Sequence, residues 1–138
     1  MINFFYETDF KLENEDALRN WISEVIVSET YSVGEIAYVF CDDAYLHALN
    51  VEYLNHDTLT DIISFDYSLG KEVHGEIYVS VERVDENAQE FKTGFIDELH
   101  RVMIHGVLHY CGYKDKSEEE EREMRERENT ALKIRSFV

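Results

Sequence analysis

A chain of 138 residues, 44% of them hydrophobic, has material for one core and too little for two, so a single domain over residues 1–138 is expected. The formal net charge of −17, from 30 acidic against 13 basic side chains, excludes a broadly basic surface that would hold nucleic acid by its phosphates; any such contact must use a local field. No stretch has the length and apolarity of a membrane span, and two cysteines, Cys41 and Cys111, are too few and too far apart for a disulfide scaffold. A soluble, cytoplasmic protein with no membrane partner is expected.

Residues Met1 to Phe10 hold a short apolar run, Ile2, Phe4, Phe5 and Tyr6, broken by Glu7 and Asp9. No basic segment precedes it, so it reads as a strand over Ile2 to Glu7 and not as a secretory leader. From Asn14 to about Ser28, Ala17, Leu18, Trp21, Ile22, Val25 and Ile26 fall at helical spacing. Glu35 to Cys41 alternates Ile36, Tyr38 and Phe40 against Ala37 and Val39, the pattern of a well-buried strand, and Asp42 is placed to cap a helix running to about Leu54. Thr60 to Tyr67 and His74 to Ser80 are β-branched and aromatic enough for two more strands, joined by a turn near Gly70.

Val81 to Phe91 reads as helix, Thr93-Gly94 interrupts it, and a second helix runs from Phe95 to Cys111. Gly112 then permits the left-handed conformation that ends a helix and reverses the chain. Ser117 followed by Glu120 is a capping-box signature for a last helix to about Lys133. Its charges, Glu118 with Arg122, Glu121 with Arg125 and Glu123 with Arg127, stand four apart in the favourable order, so the run reads as a solvated, internally paired face.

The chemistry concentrates at His105 and His109. Four residues apart on a helix, their imidazoles share one face one turn apart, so a single ion can reach both. With Gly112 and Asp115 the motif becomes His-x-x-x-His-x-x-Gly-x-x-Asp, in which the glycine turns the chain and the aspartate returns a carboxylate toward the histidines. Zinc accepts nitrogen and oxygen donors, and three protein ligands with an open fourth position mark a catalytic site. One Zn2+, or another divalent ion, is therefore expected on His105, His109 and Asp115, which would also be the catalytic residues. The helix resembles that of zinc metalloproteases, yet position 106 is Gly where those enzymes carry the glutamate that serves as general base. His47, His74 and His100 have no partner spacing of their own and read as structural or surface residues; Phe4, Phe5, Tyr38, Phe40, Phe65 and Tyr78 read as core.

The run His105-Gly106-Val107-Leu108-His109-Tyr110-Cys111-Gly112-Tyr113 resembles the signature of the YbeY family. Upstream, Leu49-Asn50, Tyr53, Asp57 and Thr60-Asp61-Ile62-Ile63-Ser64-Phe65 resemble that family's second block, and Gly75-Glu76-Ile77 resembles its Gly-Asp-Ile strand segment. The similarity runs from about Ala37 to Arg127 in the same order. It implies an α+β fold with a mixed four-stranded β-sheet covered by helices. It also implies a metal-dependent, single-strand-specific endoribonuclease that matures ribosomal RNA, notably the 3′ end of 16S rRNA, and serves ribosome quality control. The implied partners are the RNA substrate and the small ribosomal subunit or its proteins.

Two departures stand out: Asp115 occupies the place of the family's third histidine, and Leu54 that of its usual arginine. A carboxylate remains a good zinc ligand but makes a slightly weaker Lewis acid of the ion. Leu54 can neither donate a hydrogen bond nor carry charge, so His56, Lys114 or Lys116 would have to stand in, and Thr60 and Ser64 are further candidates for touching substrate. Two rival functions stay open, a ribosome-assembly factor that binds without cutting, and a metallohydrolase acting on peptides or small molecules.

Overall fold

Strands β1 (Ile2–Tyr6), β2 (Ser32–Cys41), β3 (Ile62–Asp66) and β4 (Glu72–Ser80) form one sheet in the order β1-β2-β4-β3. The first two pairings are parallel and the β3–β4 pairing is antiparallel, giving the mixed four-stranded sheet of an α+β fold. Helices α1 (Glu15–Ser28), α2 (Asp43–Leu54), α3 (Val81–Phe91), α4 (Phe95–Tyr110) and α5 (Glu118–Lys133) complete the chain. This is a computed structural model, and it describes residues 1–56 and 58–138; Asp57, quoted above for its resemblance, lies outside the described residues. No described helix is long and apolar enough to cross a membrane.

The expected strands are all present, with shifted ends. β2 and β4 begin earlier than their apolar alternation suggests, because Ser32 pairs with Glu72 and Val33 with Val73. Each extension exists only through the other, so neither is visible in one segment alone. β3 is shorter than expected, since Thr60 turns its hydroxyl to the Ile62 carbonyl at 3.2 Å before the ladder begins.

Alternation decides which sheet face is covered. Ile36, Tyr38 and Phe40 of β2 and Val73, Ile77 and Val79 of β4 are buried against α1 and α4, whose Leu18, Ile22, Ile26, Met103, Ile104 and Leu108 supply the opposing surface. On the other face a smaller cluster of Cys41, Leu46 and Ile63 lies beneath α2, packed by Leu49, Phe65 and Tyr78. Buried apolar area of this extent is the main stabilising term, at roughly 25 cal/mol per Å².

Helix α4 carries the two histidines of the motif, and polar contacts fix its height above the sheet. The Tyr38 hydroxyl donates to the Met103 carbonyl at 2.8 Å, and the Tyr110 hydroxyl lies 3.0 Å from the Phe65 carbonyl and 3.1 Å from that of Glu76. Tyr110 can lie there only because position 75 is glycine: a Cβ on Gly75 would come within 2.4 Å of the tyrosine ring. Helix α5 is tied to α1 by Trp21, whose indole donates to the Ala131 carbonyl at 2.8 Å. His100 is a structural residue, as its lack of partner spacing suggests. It is buried between Trp21 and Phe137 and accepts from Arg135 at 2.8 Å.

Gly75→Ala should lower the denaturant midpoint by the equivalent of about 1–3 kcal/mol, the usual cost of overpacking a close contact; chemical unfolding followed by circular dichroism measures it. Burial, with the Arg135 charge beside it, pushes the His100 imidazole down to about 4 from its ordinary 6.5. Below pH 6.5 the unfolded chain therefore takes up a proton that the folded chain refuses until about pH 4, and stability contributed by His100 is complete above that window and lost through it. Unfolding curves across this range should show the wild type losing more stability on acidification than His100→Gln.

Candidate metal centre

The last turn of α4 aims His105 and His109 out of one face, as four-residue spacing requires. Their Nε2 atoms lie 3.0 Å apart, with rings nearly perpendicular at 86°. The helix ends in the reversal expected of Gly112, which adopts φ 97°. Its N–H donates to the His109 carbonyl at 3.0 Å and the Tyr113 N–H to the Leu108 carbonyl at 3.1 Å, the paired bonds of a Schellman motif. The returning chain then sets Asp115 Oδ2 at 3.3 Å from each Nε2. Three donor atoms from one helix and the loop after it thus converge on one point.

What stands behind each ring decides what the front can do. Glu128 Oε2 lies 2.6 Å from His105 Nδ1, and the Tyr113 carbonyl oxygen lies 2.9 Å from His109 Nδ1. Both partners can only accept, so in the neutral imidazoles each Nδ1 carries the proton and each Nε2 presents its lone pair. Two lone pairs and a carboxylate oxygen then face one another at 3.0–3.3 Å with no hydrogen to share. A cation relieves that repulsion. A tetrahedral zinc ion with bonds of about 2.0–2.1 Å spaces its donors about 3.3 Å apart, so the triangle has the right size and the right chemistry. Imidazoles backed by a carboxylate and by a carbonyl are the usual outer support of a metal site.

Glu128 is the residue that sequence reasoning missed. It sits inside the acidic run assigned to solvent, yet it is buried, with Arg101 Nη1 at 2.9 Å from its other oxygen. The signal was present: Met124, Glu128 and Ala131, the buried residues of α5, fall at i, i+4 and i+7, so a glutamate occupies the helix's apolar stripe. Burial alone would raise the Glu128 carboxyl, but the hydrogen bonds from His105 and Arg101 outweigh it and hold the group below the usual glutamate range. Burial would likewise lower His105, and Glu128, Asp115 and Asp61 more than offset it, so the imidazole is raised. In the metal-free protein these shifts favour a second proton on His105, at Nε2 toward Asp115, and a metal ion would take that proton's place.

The i, i+4 pairing expected along α5 is not what forms. None of the three i, i+4 pairs comes within ion-pair distance among the described residues; Arg125 lies 3.8 Å from Glu128 and Arg127 3.8 Å from Glu29. The long side chains reach toward carboxylates that are buried or held by tertiary contacts, where the attraction is less screened than on an open helix face.

Two cavities meet at His105. One is bordered by Asp115, Glu118, Arg122, Arg125 and Glu128, the other by Asp61, Asn87, Arg101, Arg125 and Glu128. Of the residues expected to touch substrate, neither cavity is lined by Thr60, Ser64, His56 or Lys114. Thr60 is occupied with Ile62, Ser64 is exposed on β3, His56 is exposed beyond α2, and Lys114 is exposed on the ligand turn. Lys116 and Leu54 are exposed too. Gly106, where a metallopeptidase would place its glutamate, faces the sheet: a Cβ there would come within 3.1 Å of Ile62 and 3.2 Å of Ile77, so any side chain would have to push those isoleucine methyls aside.

Residues 4–135 match the family model described as Endoribonuclease YbeY. The chain belongs to the YbeY family. Proteins named Endoribonuclease YbeY from Flavobacterium psychrophilum and Flavobacterium johnsoniae are each 63% identical, over 134 and 132 residues, with 97% and 96% of this chain and 96% and 95% of theirs covered. A third, from Christiangramia forsetii, is 55% identical over 133 residues, covering 96% of this chain and 93% of its own. Among solved structures, the solution structure of a Thermotoga maritima protein superposes with a TM-score of 0.70 at 28% identity, over 96% of this chain and 87% of that one. The YbeY match extends well beyond the Ala37–Arg127 span in which resemblance was visible, taking in the end of β1 and all of α1.

If Glu128 orients His105, Glu128→Gln should weaken zinc binding about 10–100-fold, as loss of a ligand's outer carboxylate typically does. Competition against a chromophoric chelator reads this directly; unchanged affinity in a folded variant would show that His105 needs no such support.

Proposed function

We propose that this chain is a zinc-dependent, single-strand-specific endoribonuclease that matures ribosomal RNA, with 16S rRNA 3′-end processing as its role and the small ribosomal subunit or its proteins as partner. The observation that carries the reading is the convergence of His105, His109 and Asp115 with both imidazole Nδ1–H groups already committed elsewhere. Membership of a family whose relatives are named endoribonucleases supplies the reaction class.

A divalent ion held by these residues supplies Lewis acidity toward a phosphate oxygen and acidifies water, the two recognised ways of assisting phosphodiester cleavage. The remaining work falls to the chain. Glu128 and the Tyr113 carbonyl keep both Nε2 atoms facing forward, so no ring must reorganise during reaction. His105, His109 and Asp115 side chains are 22%, 30% and 41% exposed, which leaves the front of the site open to a strand. Asp115 contributes a negative charge that a third imidazole would not, and the site attracts phosphate correspondingly less. Peptide hydrolysis is disfavoured by the packing around Gly106.

The net charge of −17 favours a second reading, an assembly factor that binds without cutting. One assay separates them. Purified protein should cleave a structured RNA bearing a single-stranded tail, with about one zinc per chain by elemental analysis. Chelator or His109→Ala should lower the rate about 100-fold or more. Cleavage that survives both treatments would expose a contaminating nuclease, and tight RNA or ribosome binding without cleavage would establish the assembly role instead.

A further inference from the structure

We propose that Arg125 is the phosphate-gripping residue of this site, the side chain that holds the nucleic-acid backbone beside His105; the inference rests on the nuclease reading and adds to it the contact that retains substrate. It follows from comparing the cations that α4 and α5 bring near the metal ligands. Arg101 is committed inward: it is held by Glu128 Oε1 at 2.9 Å and Asn129 Oδ1 at 2.8 Å, with its side chain only 21% exposed. Arg127 turns the other way, to Glu29 at 3.8 Å and over the Tyr113 ring at 5.3 Å. Arg122 borders one of the two cavities that meet at His105. Arg125 borders both.

Its donors, like those of Arg122, are not taken up by any hydrogen bond among the described residues. Its i, i+4 neighbour Glu121 does not come within ion-pair range, and its contact with Glu128 Oε1, at 3.8 Å, is longer than a hydrogen bond, that oxygen being already taken by Arg101. The side chain is 61% exposed. A guanidinium presents five N–H donors in a planar fork that matches two phosphate oxygens, and here that fork is both unspent and anchored near Glu128, whose second oxygen lies 2.6 Å from His105. The surrounding charge sharpens the effect. Glu118 and Glu121 line the first cavity, so a phosphate that fails to reach the arginine meets repulsion, and affinity must rest on a few contacts instead of a broad basic surface.

The test uses zinc-loaded protein and two probes: a cleavable single-stranded RNA for steady-state kinetics, and single-stranded DNA of the same sequence, which offers phosphates without the ribose hydroxyl, for equilibrium binding by fluorescence anisotropy. Arg125→Ala should raise both KM and the DNA Kd about tenfold, the loss expected for one charge-assisted hydrogen-bonded contact, with kcat within about threefold and zinc content unchanged. The slope of log affinity against log salt should fall by about 0.7, one phosphate's share for a single strand. Arg125→Lys should recover part of the affinity, and Arg127→Ala, the same charge change on the same helix, should leave it unaltered. Equal effects of Arg125→Ala and Arg127→Ala, or none from either in a wild type that binds and cuts RNA, would overturn the assignment alone. A wild type that neither binds nor cuts would overturn the nuclease reading and this contact with it.

Discussion

Everything at the metal centre depends on where two protons are. Glu128 and the Tyr113 carbonyl each accept from an Nδ1, and by doing so they leave the two Nε2 atoms of the neutral imidazoles facing each other as lone pairs. Without those acceptors either ring could flip or exchange tautomers, and the pair could satisfy itself with a shared hydrogen. With them, and with Asp115 closing the triangle, the arrangement is stable only around positive charge. The rest of the fold can be seen as the apparatus that brings acceptor and ring together. The tyrosines of β2 and α4 set the helix height, Gly112 turns the chain, and Trp21 pins α5 so that Glu128 reaches back.

The strongly acidic chain looks at first like a poor partner for nucleic acid. The distribution of its acids alters that judgement. Glu128 is spent inside, balanced by His105 and Arg101, and Asp115 stands with the two histidines in a group that could hold a cation. The remaining glutamates of α5 spread along a solvated surface, where screening within about 10 Å limits their reach at ordinary ionic strength. Weak general attraction to phosphate leaves contact with an RNA to local features of the surface.

Much of this was legible in the residues. The bounds of α3 and α5 follow from their caps: Ser80 accepts from the Arg83 N–H, and Ser117 and Glu120 exchange both bonds of a capping box. The convergence of His105, His109 and Asp115 was legible because they lie within eleven consecutive positions, where helix periodicity and one glycine determine the geometry. What escaped was set by distance along the chain. The first residues of β2 and β4 extend each other across 40 positions, Arg127 of α5 takes the distant Glu29, and Glu128 meets His105 across 23. Thr60, Ser64, His56 and Lys114 stand beside matching motifs, a criterion that carries no direction, and none of them lines the two cavities at His105.

The two imidazoles are supported by unlike materials, and this has a consequence for how the site tolerates change. His105 leans on a side chain, so a single codon change at position 128 removes its prop. His109 leans on a peptide oxygen, which every residue possesses, so position 113 can vary in side chain without altering that hydrogen bond. The vulnerability is moved one step back, to Gly112, whose φ of 97° is what delivers the oxygen. Half of the site is thus insured against substitution at its own contact and exposed instead at a turn that offers no side chain to the site.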